Sequence, residues 1–127
     1  MLETKINLNN GVLTIQAIGR LDGLTSKEFI EATEKEISQE NSKVILNLQN
    51  LDYISSEGLR SVLTTAKKTK SLGGKLILCA PLEGVKEVLD ISGFGQMLGV
   101  YASEEEALNN ICLLYTSDAA CLLYTSD

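Results

Sequence analysis

Apolar residues along this chain recur with two different periods, and each change of period marks an element boundary. Residues 5–18, KINLNNGVLTIQAI, hold two runs of strand formers separated by Asn10-Gly11. That dipeptide suits the positive φ angles of a two-residue type I′ turn, so an antiparallel hairpin is expected first. After a glycine-containing loop, Thr25 and Glu28 stand at capping-box spacing, and Phe29, Ala32, Thr33 and Ile37 follow at helical intervals. The pattern predicts an amphipathic helix from about Ser26 to Ser38.

Residues 43–48, KVILNL, are a short and almost continuous apolar run, as expected of a strand covered on both faces. Leu59, Val62, Leu63 and Ala66 then fall at i, i+3, i+4 and i+7. Lys67, Lys68 and Lys70 gather where the dipole of that second helix favours cations, and Gly73-Gly74 ends it. KLILCA at 75–80 repeats the buried-strand signature, so strand, helix and strand predict a βαβ unit with a right-handed crossover. Pro81 opens a third helix carrying Val85, Val88 and Leu89, and Gly93 stops it. A short strand near MLGVY and a last helix near SEEEALNNI, started by Ser103, complete an α/β layer pattern with a partly parallel sheet.

Composition narrows the function. At 127 residues and 44% hydrophobic, the chain can bury one core and is read as one domain, residues 1–111, with a tail at 112–127. A formal net charge of -6 argues against a nucleic-acid footprint, which needs clustered Lys and Arg to displace counterions. No apolar run approaches the length of a membrane helix, and MLETKINLNN has no leader pattern, so the expectation is a cytoplasmic protein without membrane insertion. Three cysteines make no disulfide framework, and Cys79 within KLILCA reads as a reduced core thiol.

Histidine is absent, which removes Ser-His and Cys-His nucleophilic pairs, so any catalysis would have to use carboxylates or lysine, and the expectation is a non-enzymatic protein. GFGQMLG lacks the spacing and the preceding strand of a dinucleotide loop, and SLGGKL misses the phosphate-loop pattern. No cofactor and no metal site is expected. Glu34, Glu36, Glu40 and Glu104 to Glu106 read as solvated helix surface. The tail contains CLLYTSD twice, at 112–118 and 121–127. Two copies of seven residues cannot build a solenoid, and the segment is read as a non-native or disordered appendage resembling translated adapter sequence.

The polar crowding in YISSEGLR, residues 53–60, stands out against this background. Ser55 and Ser56 fall at the carboxyl end of a strand and the amino end of a helix, where open α/β sheets present their sites and free N–H groups favour an anion. Two readings stay open: Ser56 is the helix N-cap, with Ser55 a second turn-stabilising hydroxyl, or Ser56 carries a phosphoryl switch. Hydrolysis through Ser56 is a third and remote reading, because no histidine is present and SSEG is no G-x-S-x-G elbow.

The segments GRLDGLTS at 19–26, VILNLQNLDYISSEGLRSVL at 44–63, GGKLILCAP at 73–81 and LDISGFGQML at 89–98 together resemble the STAS domain family, specifically its stand-alone bacterial anti-sigma-factor antagonists. The resemblance implies a mixed sheet of about five strands with helices packed mainly on one side. It also implies partner switching, in which the unphosphorylated domain binds an anti-sigma factor of the serine-kinase type and frees a sigma factor. ATP would come from the kinase, and a serine phosphatase would reset the domain. The family's loop reads D-S-small-G-L, and anchoring on Gly58 puts Ser56 at the phosphorylation position. Ser55 then stands where Asp is frequent and Glu57 where a small residue is usual. Asp22 matches the loop aspartate beside the acceptor. The implied docking surface comprises Asp22, Gly23, Leu24, Thr25, Ser55, Glu57, Gly58 and Arg60. The Glu57 charge would either disfavour phosphorylation or partly imitate it. The competing expectation is a STAS scaffold subunit of a sensory or lipid-transport complex that is never phosphorylated.

Overall fold

A computed structural model describes residues 2–9, 11–39, 41–94 and 98–113. The chain opens with strands β1 (Leu2–Asn9) and β2 (Val12–Leu21), followed by helix α1 (Ser26–Glu34). Strands β3 (Lys43–Asn47) and β4 (Leu51–Ile54) lead into α2 (Ser56–Ser71), then β5 (Lys75–Cys79) and α3 (Glu83–Ser92). A two-residue β6 (Val100–Tyr101) and α4 (Glu104–Leu113) finish the described part. The sheet has six strands in the order β1-β2-β3-β5-β6, with β4 added on β2.

Only β1 and β2 are antiparallel, paired from Leu2↔Gly19 to Asn9↔Val12, which leaves a two-residue connection. Gly11 has φ +79 as the hairpin reading requires, and Asn10 lies outside the described residues. β2 is long enough to serve two partners in turn. Its first half pairs parallel with β3 at 12–16, and after a register shift at Gly19/Arg20 its end pairs parallel with β4. This is the sixth strand that the pattern did not predict. LDYI has only four residues and exposes Asp52 and Tyr53, so nothing in its periodicity separates it from a turn.

The central strands explain their own sequences. Val44, Leu46, Leu76 and Leu78 point into a core shared with Phe29, Leu59, Val62, Ala66, Val85 and Leu89 from the first three helices. The alternate residues Ile45, Ile77 and Cys79 meet Ala107 and Ile111 of α4 on the opposite face. Burial on both faces removes the polar half of the period-two pattern, hence the continuous apolar runs. Among the described elements three helices therefore cover one face and one covers the other, an α/β architecture with helices mainly on one side.

Several boundaries moved. α1 ends at Glu34, short of the expected Ser38; in the turn after it Glu36 N and Ile37 N share Thr33 O at 3.1 Å each, and Ile37 still reaches the core. α3 begins at Glu83 after an extended Leu82, two residues beyond Pro81. Gly93 ends α3 at φ +79, and Ser103 Oγ caps α4 by accepting from Glu106 N at 3.1 Å, both as expected. Glu104 is not the free surface carboxylate expected: its Oε1 accepts from Asn47 Nδ2 at 2.9 Å, which satisfies a buried amide on β3. Of the glycine-rich GFGQMLG, residues 95–97 lie outside the described residues, as does the CLLYTSD repeat apart from Cys112 and Leu113, whose backbone continues α4.

Cys79 is fully buried, and that burial, reinforced by the nearby Glu104 charge, pushes its thiol up to about 12. The thiolate needed for reaction is thus scarce at neutral pH. With Cys112 and Cys121 replaced by serine, a thiol reagent at pH 8 should label the native chain negligibly and the denatured chain fully. The raised pKa also fixes the direction of alkaline behaviour. The contribution of the neutral thiol is complete below the unfolded-state value and is lost as pH rises toward 12.

Candidate functional site

The carboxyl end of β2, the loop after it and the start of α2 converge on the Leu21 carbonyl. Leu21 O accepts from Ser55 N at 3.0 Å, locking the residue before α2 to the end of the strand. Ser55 is extended (φ -98, ψ 176), and its Oγ accepts from Gly58 N at 3.1 Å. Ser55, not Ser56, is therefore the N-cap of α2. The difference has a cause in the register: Leu59 N already bonds Ser55 O at 2.9 Å, so the helical ladder starts one residue earlier than the capping reading placed it. Ser56 becomes the first helical residue, with an exposed side chain. Removing the two hydroxyls should separate these roles. Ser55→Ala is expected to lower stability by about 1 kcal/mol in a denaturant melt, and Ser56→Ala by less than about 0.5 kcal/mol.

Gly58 sits buried one turn in, and its place in the packing is specific. A Cβ there would lie 2.9 Å from the Leu21 carbonyl carbon, closer still to its oxygen, and 3.0 Å from Ile54 Cγ1. Only the missing side chain lets α2 approach β2 this tightly.

The loop beside α2 is built on Asp22. Its Oδ1 accepts from Leu24 N at 3.0 Å and from Thr25 N at 3.2 Å, with Thr25 Oγ1 also at 3.2 Å. Thr25 Oγ1 in turn accepts from Asp22 N and lies 2.9 Å from Arg20 O, to which it can donate instead. Thr25 is thus the N-cap of α1 by position but makes no side-chain cap bond, and the predicted capping box with Glu28 does not form because this turn consumes its hydroxyl. Partial removal from water raises the Asp22 pKa. The Leu24 N–H, the Thr25 hydroxyl and N–H, and the Arg20 charge outweigh that effect, so the net direction is downward. A depressed carboxylate stabilises above its unfolded-state pKa and ceases to do so only as pH falls through the lower folded value.

The tightly tied turn holds Leu24 almost fully in solvent, 92% exposed. Tyr53 of β4 is also exposed and carries the Arg20 guanidinium 4.5 Å above its ring, while Arg20 Nε lies 3.8 Å from Asp22 Oδ2. Gly23 abuts Glu57, since a Cβ there would meet Glu57 Cγ at 3.6 Å. On α2, Arg60 Nη1 pairs with Glu57 Oε1 at 3.8 Å, with both side chains exposed.

The residues predicted from sequence therefore do assemble, with divided labour. Leu24, Ser56, Glu57 and Arg60 are exposed, and Asp22 and Ser55 shape the backbone beneath them. Thr25, 7% exposed, and Gly58 are buried, so they build the surface and do not line it. Arg20 and Tyr53 were missed. Their signal was available only as topology, because β4 must lie beside the end of β2 for the two side chains to meet. Among the described residues no group of three or more His, Cys, Asp or Glu could hold a metal ion, and no helix is long and apolar enough to cross a membrane.

Comparison with known proteins places the fold and the family. The family model described as STAS domain matches residues 3–107. BtrV of Bordetella bronchiseptica, named as an anti-sigma factor antagonist, is 40% identical over 94 residues, which cover 71% of this chain and 81% of BtrV. Among solved structures, the Thermotoga maritima protein tm1081 superposes with a TM-score of 0.79 at 21% identity, covering 85% of this chain and 93% of that one. The Bacillus cell-fate determinant SpoIIAA, solved in its phosphorylated form, gives a TM-score of 0.64 at 21% identity over 86% of this chain and 99% of its own. At such identities the structures speak to the fold alone, whereas the family match spans nearly all of the described chain. This chain belongs to the STAS domain family.

Proposed function

We propose that the protein is an anti-sigma factor antagonist that works by phosphorylation-controlled partner switching. Unphosphorylated, it binds an anti-sigma factor of the serine-kinase type and so releases a sigma factor. The observation that carries this reading is the exposed Ser56 on the first turn of α2, relieved of capping by Ser55 and followed by Glu57, against which the Gly23 loop abuts. An N-cap hydroxyl would be occupied in the fold; an exposed hydroxyl on the first helical turn is open to a docked partner. The 40% identical relative named as an anti-sigma factor antagonist supports the same role.

The chemistry belongs to the partner. Ser56 Oγ attacks the γ-phosphorus of ATP held by the kinase, a new O–P bond forms, the bond to ADP breaks, and the hydroxyl proton leaves to a base on the kinase. The antagonist is the substrate and regulator, not the catalyst, and a serine phosphatase restores it by hydrolysing the ester. The scaffold reading draws on one observation, the exposed Glu57 carboxylate beside Ser56. In that reading the site never cycles.

Affinity capture from the host lysate, with wild-type chain and Ser56→Asp side by side, tests the proposal. Wild type should recover a serine-kinase-type anti-sigma factor and the aspartate variant should lose it. A transport ATPase or sensory complex recovered equally by both would replace antagonism with the scaffold reading.

A further inference from the structure

Residues four apart on a helix share a face, so Ser56 and Arg60 are neighbours on α2. The Cα–Cβ bond of Arg60 tilts toward the amino end of the helix, and its guanidinium is found there, 3.8 Å from Glu57 Oε1. Both partners are exposed, and a loose surface pair of this kind contributes little and exchanges readily. The Ser56 hydroxyl lies within the same turn.

Resting on the Ser56 modification proposed above, we propose that Arg60 is an intramolecular counter-ion that leaves Glu57 for the phosphoryl group. A phosphoryl group brings about -1.5 to -2 charges and three acceptor oxygens suited to the guanidinium fork, so it outcompetes a single carboxylate. Modification then does two things at once: it adds negative charge, and it withdraws the Arg60 cation from the surface a partner would meet. Glu57 is left uncompensated, which makes the first turn of α2 more repulsive to an acidic partner face than the added phosphate alone would. Charges on the neighbouring elements are Arg20 and Asp22 at the β2 end and its loop, and the exposed Asp52 on β4. Arg20 and Asp22 lie 3.8 Å apart and largely offset each other, with Tyr53 of β4 beneath Arg20. Arg60 is therefore the cation best placed to respond.

The test uses the full chain with phosphoserine installed at residue 56 during translation, so that no kinase is required. Phosphorus NMR follows the second ionisation of the phosphate in this protein, in Arg60→Gln and in Glu57→Gln. Loss of the Arg60 cation should raise that pKa by roughly 0.3 to 0.6 pH unit, and loss of the Glu57 charge should lower it. A phosphate titration unchanged by Arg60→Gln overturns the proposal. That result would leave antagonism standing, because the phosphate was not placed by the partner. Failure to capture a kinase would conversely leave the titration result intact.

Discussion

Gly58→Ala should cost about 3 kcal/mol of folding stability and lower the melting temperature by about 10 °C. The added methyl has nowhere to go. It would press on the Leu21 carbonyl from one side and Ile54 Cγ1 from another, and the carbonyl cannot retreat because Ser55 N holds it at 3.0 Å. Relief requires α2 to lift from the end of β2, which loosens the Ser55 cap and the burial of Leu59 together. Gly84→Ala is the matched control. It sits in α3 with nothing within 4 Å of the added carbon, so it should be neutral or stabilising by up to about 1 kcal/mol, since alanine favours helix over glycine. Thermal unfolding of both variants decides the matter. Equal melting temperatures would show that the contact between helix and strand is not tight.

The second large effect concerns binding. Phosphorylation of Ser56 is expected to weaken the proposed complex with an anti-sigma kinase by at least about 100-fold, close to 2.7 kcal/mol. The modified side chain stands on an exposed turn with Glu57 beside it and the Gly23 loop against Glu57, so a partner docked there must bury or face the new charge. No refolding is needed, because Ser55 continues to cap α2 whatever Ser56 carries. Titration calorimetry of the purified partner with unmodified and phosphorylated chains reads the ratio directly. Less than about tenfold would sink the charge-switch account, and Ser56→Asp, with one charge, should fall between the two forms.

How much of this was legible in the sequence depended on whether local pattern or tertiary pairing decided the outcome. The buried strands at Lys43–Asn47 and Lys75–Cys79 announced themselves because covering both sheet faces leaves no polar alternation. The caps at Gly93 and Ser103 were readable because each depends on one residue and its own turn. β4 was not, because its pairing exists only once β2 has turned past β3, and its own four residues carry no period. The same holds within the site. Two adjacent serines offer two cap registers, and the bond from Ser55 N to Leu21 O, 34 positions away in sequence by the difference of those numbers, chooses between them. Thr25 was assigned to its helix when it in fact serves the Asp22 turn, a preference between near neighbours that spacing cannot rank.

Phosphopeptide mass spectrometry on the protein recovered from its host, across growth states and with Ser56→Ala as control, addresses the central claim most directly. The account predicts phosphate on Ser56 in at least one state, absent from the alanine variant and not relocated to Ser55. Full coverage of the Tyr53–Arg60 stretch with Ser56 unmodified in every state would contradict it and leave the exposed serine as a surface residue of a scaffold.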